Sequence, residues 1–159
     1  MELLPFFEWL EASALGAAAK AYGGVFAVVQ MFHLLALALL GGTVILGDLR
    51  LLGVVMTDVP SETVIRNTQK WFNAALALIA ASGVFMSGAV AVKLYYNEMF
   101  WAKMTGLSLG ILFVYGVRRP LLLRFEHASI NPWALRLLAL TSLTIWLSVA
   151  ACGRWIGFS

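Results

Sequence analysis

The chain has 159 residues, of which 62% are hydrophobic and only 12% are charged. This composition excludes a soluble globular protein and predicts one integral membrane domain over residues 1–159. The 11 basic and 8 acidic residues give a net charge of +3, and because the bases cluster at the ends of apolar stretches, they favour lipid head groups over nucleic acid as partners.

The first segment, residues 2–20, is too charged to cross a bilayer. Glu2, Glu8, Glu11 and Lys20 alternate there with leucines and aromatic residues. This mixture is typical of a helix that lies along the membrane surface with its aromatic side chains at the level of the head groups. We therefore predict an interfacial helix over about residues 2–20.

The first membrane span is predicted over about residues 24–46, which contain no residue charged at neutral pH. At ~1.5 Å per residue, this stretch is long enough to cross ~30 Å of hydrocarbon as a helix. Gln30 and His33 are three residues apart, so we expect them on one face, which continues at helical spacing to Asp48. Polar side chains inside a membrane turn away from lipid, and we expect this face to point into a bundle.

Three further spans are predicted over about residues 71–92, 100–117 and 134–152. Each has one side of small or weakly polar residues, including Asn73, Ala77, Gly83 and Ser87, then Gly106 and Gly110, and finally Thr141, Thr144, Ser148 and Cys152. Such sides let helices approach one another closely. The sequence thus predicts an all-α fold, an antiparallel four-helix membrane bundle preceded by the interfacial helix.

The distribution of basic residues predicts the orientation. One membrane face receives seven of them, namely Arg50, Arg66, Lys70, Arg118, Arg119, Arg124 and Arg136. The other receives the remaining four, Lys20, Lys93, Lys103 and Arg154. Since basic residues accumulate on the cytoplasmic side, we predict a bacterial inner-membrane protein with both termini on the outer, periplasmic side.

His33 is the main candidate for cofactor binding. A neutral imidazole in a low-dielectric bundle is a good axial ligand for haem iron and also binds copper. Counting along the helices places Met86 and Trp146 in the same outer half, with Gln30 nearby, and a methionine thioether suits haem or Cu(I). Lys103 can reach the head groups or neutralise a haem propionate. The structural alternative is that His33 hydrogen-bonds a serine, a threonine or a carbonyl on a neighbouring span.

A second histidine ligand from the same chain is not expected. The only other histidine, His127, lies in the predicted cytoplasmic loop, far from His33 in depth. One haem would therefore need ligation by histidine and methionine, a five-coordinate iron or a second subunit.

Asp48 and Arg50 end the first span and are two residues apart, so they do not face each other on a helix. Each needs another partner, and for Asp48 we expect Lys70, Arg118 or Arg119. The main interpretation is an ion pair that locks helix ends, and the alternative is an entry point for protons or anions. The sequence has no phosphate loop, nucleophile elbow, zinc-protease motif or pair of catalytic carboxylates, so enzymatic activity is left open.

Several short motifs resemble an uncharacterised bacterial family of small four-span membrane proteins. The motifs are Phe32–Gly41, Gly47–Gly53, Asn97-x-x-Phe100-x-x-Lys103, Ser142–Trp146 and Gly153-Arg154. That family is distantly similar to copper-resistance D-type proteins and to haem-binding protoporphyrinogen-oxidase-like proteins, which share a first-span histidine and a later lysine. The resemblance implies roles for His33, Asp48, Arg50 and Lys103, and haem or copper as the cofactor. Members often have an acidic residue at the position where this chain has Gln30. The resemblance therefore implies a neutral hydrogen-bonding group at this position.

Three functional hypotheses follow. In the first, His33 binds a b-type haem for electron transfer, with a redox partner or within a membrane oxidoreductase assembly. In the second, His33 and Met86 bind copper in a copper-handling protein. In the third, the chain is a non-catalytic structural subunit or a homo-oligomer that packs through its glycine faces. The lipid bilayer is a partner in all three.

Overall fold

The computed structural model of the protein describes residues 3–124 and 131–158. Within these ranges the chain is helical and has no strand, which confirms the all-α prediction. In chain order the helices are α1 (Leu4–Ala12), α2 (Ala14–Ala21), α3 (Gly23–Leu51), α4 (Ser61–Ala89), α5 (Ala91–Tyr95), α6 (Glu98–Leu112), α7 (Arg119–Arg124) and α8 (Pro132–Trp155). A π-helical turn, Phe113–Arg118, joins α6 to α7.

Four stretches are long and apolar enough to cross a membrane: α3, α4, the continuous helix Glu98–Leu122 and α8. The multi-pass membrane protein predicted from the sequence is therefore confirmed at this level. α4 begins ten residues before the predicted second span, because its polar first turns continue the same helix. Glu62 and Arg66 form an ion pair there, with 2.5 Å between Oε1 and Nη2, at the spacing that favours helix formation.

α3 is the central helix of the bundle and packs against both α4 and α8, whereas α6 packs mainly against α8. The main core combines side chains of all four spans, namely Ala36, Leu40, Val44, Phe72, Ala75, Ile79, Val114 and Trp146. Large apolar side chains also cover the outside, among them Leu34, Leu109, Leu112 and Leu137. An outer surface of this kind is suited to lipid contact.

The predicted interfacial segment consists of two short helices, α1 and α2, that meet at Ser13. The Ser13 hydroxyl donates to the Leu10 carbonyl at 2.6 Å and accepts from the Gly16 N–H at 3.3 Å, which ends one helix and begins the next. α2 lies directly on α4, because Gly16 approaches Gly88 so closely that a β-carbon on Gly16 would lie 2.8 Å from the Gly88 carbonyl oxygen. The N-terminal segment is thus fixed to one end of the bundle.

The π-helical turn Phe113–Arg118 changes the direction of side chains in the third span. Pro120 follows it and has no N–H to donate to the carbonyl of Gly116, so regular α-helical hydrogen bonding cannot continue through this point. The helix continues beyond the turn as α7, to Arg124. Arg118, the last residue of the turn, is buried in the bundle.

Candidate functional site

His33 lies on the inner side of α3, ~15 Å along the helix from Gly23. It shares this side with Ala36 and Leu40, and its side chain is 8% exposed. The imidazole Nδ1 lies 2.7 Å from the hydroxyl oxygen of Ser82 on α4. The bundle therefore shelters the imidazole and gives it one polar partner.

The hydrogen bonds of Ser82 determine the tautomer of His33. The Ser82 Oγ lies 2.5 Å from the carbonyl oxygen of Leu78 and 3.3 Å from that of Ile79, and both oxygens are acceptors. A hydroxyl has one proton, so Ser82 donates to its own helix and accepts from His33. We assign the proton of the neutral imidazole to Nδ1 on this basis. Nε2 then keeps its lone pair.

Two residues that follow Ser82 on α4 lie on the side of the helix that borders the His33 imidazole. They are Gly83 and Met86. Gly83 lies against the ring, since a β-carbon on it would be 3.6 Å from Cε1 of His33. Met86 is four residues after Ser82 on the same face and is partly buried. Because the Cα–Cβ bonds of a helix tilt toward its N-terminus, the Met86 side chain leaves α4 in the direction of Ser82. Met86 is thus placed on the side of α4 that faces His33.

Lys103 brings a positive charge to the same end of the bundle. Its aliphatic stem packs over Gly153 of α8, where a β-carbon would lie 3.5 Å from Cε of Lys103. Its ammonium group interacts electrostatically with the His33 imidazole. None of the ion pairs among residues 3–124 and 131–158 includes Lys103. The His33 imidazole and a lysine that forms no ion pair in the described ranges are therefore at the same end of the bundle.

Two predicted site residues do not join His33. Gln30 is exposed on the outer side of α3, where it borders an open groove of about 360 Å³. A step of three residues turns a helix by ~300°, so the edge of the inner face falls between Gln30 and His33. The expectation that both share the inner face is wrong. Trp146 belongs to the main core, with its ring 5.4 Å from that of Phe72.

Metal ligands are few in the part of the chain that the structure describes. It has no group of three or more histidine, cysteine, aspartate and glutamate side chains that could hold a metal ion. His127 lies outside the described residues. Of the residues predicted as metal ligands, His33 and Met86 are both in the described part of the chain.

A second polar cluster lies at the opposite end of α3, ~22 Å from His33 along the helix. The fully buried Asp48 faces Arg118, with 2.8 Å between Oδ1 and Nη2, so Arg118 is its partner among the three that the sequence offered. The Ser142 hydroxyl of α8 lies beside the carboxylate. Arg50 points away and donates to the carbonyls of Val59 at 2.8 Å and Thr57 at 3.3 Å, which holds the connection between α3 and α4.

Sequence reasoning missed Ser82, Gly47 and Ser142. Ser82 follows Phe72, Ala75 and Ile79 at spacings of three, four and three, which is the spacing of a buried helix face. That periodicity could have identified Ser82 as an inward-facing hydroxyl.

The chain matches, over residues 6–159, the model of a family of unknown function (DUF6644). Comparisons with curated proteins and with solved structures give no match. The matched range includes all four spans and both polar clusters.

Proposed function

The chain belongs to the DUF6644 family, and we propose that it is a membrane protein that binds b-type haem through Nε2 of His33. The hydrogen bond between His33 Nδ1 and Ser82 is the one that the structural alternative expected, and it supports the haem proposal because it leaves Nε2 with its lone pair. Imidazoles that ligate metals commonly donate their other N–H to a fixed acceptor, which sets the tautomer and the orientation of the ring. The buried His33–Ser82 pair has this arrangement.

The charge near His33 also fits the cofactor. Haem carries two propionates, which need cations when they lie close to the hydrocarbon region. The Lys103 ammonium lies in electrostatic range of the imidazole and is not part of any ion pair in the described ranges. Lys103 is on α6, which belongs to the least enclosed of the four spans. In the apolar 18-residue stretch of this span 11% is buried, whereas 28% is buried in the corresponding stretches of α4 and α8. A planar group such as haem would therefore disturb fewer packing contacts beside α6 than beside the other spans.

The proposed roles of the residues follow from these positions. His33 binds the iron, Ser82 orients the imidazole, and Lys103 neutralises a propionate. Met86, four residues after Ser82 on α4 and partly buried, would help to hold the haem, since thioether sulfur binds haem iron. Bound haem would supply one-electron transfer, so we propose electron transfer to a redox partner or within a membrane oxidoreductase assembly.

The absorption spectrum of the protein purified in detergent tests the haem proposal. We expect a Soret band that His33→Ala abolishes. The matched control is His127→Ala, which removes the other histidine and should leave the band intact. A wild-type protein that gains no Soret band after incubation with haem would overturn the proposal, as would a band that persists in His33→Ala.

Copper handling is the second candidate, favoured by the position of Met86 relative to Ser82 on α4. A single Cu(I) ion needs much less room than haem and is bound well by thioether sulfur and imidazole. A colourless protein with stoichiometric copper, lost in both His33→Ala and Met86→Leu, would support this function. A protein that binds neither haem nor copper and forms larger assemblies on gel filtration would instead support a structural subunit or homo-oligomer.

A further inference from the structure

The Asp48 end of the bundle contains a small polar cavity that is independent of the His33 site. The cavity has a volume of about 10 Å³ and is lined by Thr43, Ile65, Thr68, Gln69, Phe72, Val114 and Arg118. Four of these residues are polar. The lining residues belong to α3, to α4 and to the π-helical turn of the third span. Three spans therefore meet at this cavity.

Arg118, which lines this cavity, has an unsatisfied donor. Its Nη2 faces Asp48 at 2.8 Å. Its Nε is buried and has no hydrogen-bond partner among the residues that the structure describes. A buried N–H without a partner is costly, so such a group commonly has a water molecule as its acceptor.

The other polar residues of the cavity offer acceptors. The Thr43 hydroxyl donates its proton to the Leu40 carbonyl at 2.7 Å, and the Thr68 hydroxyl donates to the Val64 carbonyl at 2.9 Å. Each threonine oxygen therefore keeps a free lone pair toward other donors. The Gln69 amide nitrogen donates to Asn73 Oδ1 at 2.7 Å, which leaves the carbonyl oxygen of Gln69 free to accept.

We propose that this cavity binds a single water molecule that accepts from Arg118 Nε and donates to oxygens of Thr43, Thr68 or Gln69. One unsatisfied donor and several acceptors match a ligand that accepts one hydrogen bond and donates two. The volume is about that of one water, which typically makes about three such bonds in a protein interior. An anion would meet too few donors, and a metal cation would meet the positive guanidinium and no carboxylate in the lining.

The bound water would position Arg118. With Nε held by the water, the guanidinium presents Nη2 to Asp48, and the water links α3 or α4 to the π-helical turn. The site is thus a hydrated polar lock at the Asp48 end of the bundle, built from backbone-anchored hydroxyl groups and one arginine.

Radiolytic hydroxyl-radical footprinting of the detergent-solubilised protein tests for the water, since radicals formed from a bound water oxidise the side chains around it. Ile65 lines the cavity and Ile79 does not, although both are buried to a similar extent, at 5% and 7% exposure. We expect several-fold more oxidation of Ile65 than of Ile79. Equal protection of the two isoleucines would overturn the proposal.

A substitution tests which residue holds the water. Thr68→Val replaces an acceptor by a methyl group, and we expect it to lower both the melting temperature and the oxidation of Ile65. Thr144→Val is the matched control, because the Thr144 hydroxyl likewise donates to a carbonyl four residues earlier, at 2.9 Å, but is exposed and away from the cavity. An equal effect of the two substitutions on the melting temperature would mean that Thr68 does not hold the water, and the same result for Thr43→Val as well would contradict the proposed site.

Discussion

Gly47 allows the buried ion pair of Asp48 and Arg118 to form. A β-carbon at position 47 would lie 2.6 Å from Nη2 of Arg118, in the space that the guanidinium occupies when it reaches the carboxylate. Removing two charges from water is expensive, and a buried pair tolerates this only when the partners meet in good geometry. A β-carbon at position 47 would therefore require the end of the Arg118 side chain to shift from its place beside Asp48.

We expect Gly47→Ala to destabilise the protein by about 1–3 kcal/mol, the usual range for overpacking a buried site. The new methyl group would push the guanidinium away from Asp48. Thermal unfolding in detergent measures the effect. Gly42→Ala is the control on the same helix, because nothing lies within 4 Å of a β-carbon there, and it should be neutral or mildly stabilising. Equal melting temperatures for the two variants would contradict this account.

The inward position of His33 could be predicted because a polar group within an apolar span needs shelter from lipid. Its partner Ser82 could not be selected among the hydroxyl and carbonyl groups of three other spans, because the choice depends on the rotation of α4 about its axis. The same uncertainty explains why Gln30 was wrongly expected to face the inside of the bundle. A spacing of three residues predicts proximity on a helix surface, but it does not fix where the buried face ends.

Glu11 attaches the two N-terminal helices to the bundle. Its Oε1 lies 2.8 Å from the Lys20 ammonium, and its Oε2 accepts from the backbone N–H of Val92 at 2.8 Å. The hydrogen bond from Lys20, and then that from Val92, lower the pKa of Glu11 below its ordinary value. The carboxylate thus joins α1 both to α2 and to the start of α5.

We expect this attachment to weaken in acid. A carboxyl group whose pKa is lowered in the folded state stabilises it fully above its unfolded pKa, and this contribution is lost as the pH falls through the folded pKa. Limited proteolysis of the N-terminal segment should therefore increase below the ordinary glutamate range.

Glu11→Gln should already raise proteolysis at neutral pH and remove most of the pH dependence. Glu8→Gln on the same helix is the control, because the structure shows no ion pair or hydrogen bond of the Glu8 side chain, and it should behave as the wild type. A pH profile that stays unchanged in Glu11→Gln would show that another group governs the attachment.

At the scale of the whole molecule, composition and span length were sufficient to predict a helical membrane bundle. Hydrocarbon requires that every backbone group be paired within its own segment, so apolar stretches of this length form helices. The pairing of spans was harder to predict, because α3, α4 and α8 all have small residues on more than one side. The third span was predicted to end at about residue 117, because a basic residue such as Arg118 ordinarily marks the head-group level. In the structure Arg118 is instead buried in the bundle.

The orientation of the bundle is the remaining prediction at this scale. Seven of the basic residues were assigned to the face that includes the connection after α3, so we expect this connection in the cytoplasm and the connection after α5 outside. With Cys152→Ser as background, Tyr96→Cys should react with a membrane-impermeant maleimide in intact cells, and Thr57→Cys should react only after lysis. Both positions are exposed, so access to the reagent depends on the side of the membrane. The opposite pattern would place the Asp48–Arg118 pair at the outer surface and His33 toward the cytoplasm, and an electron acceptor for a haem at His33 would then have to be sought on the cytoplasmic side.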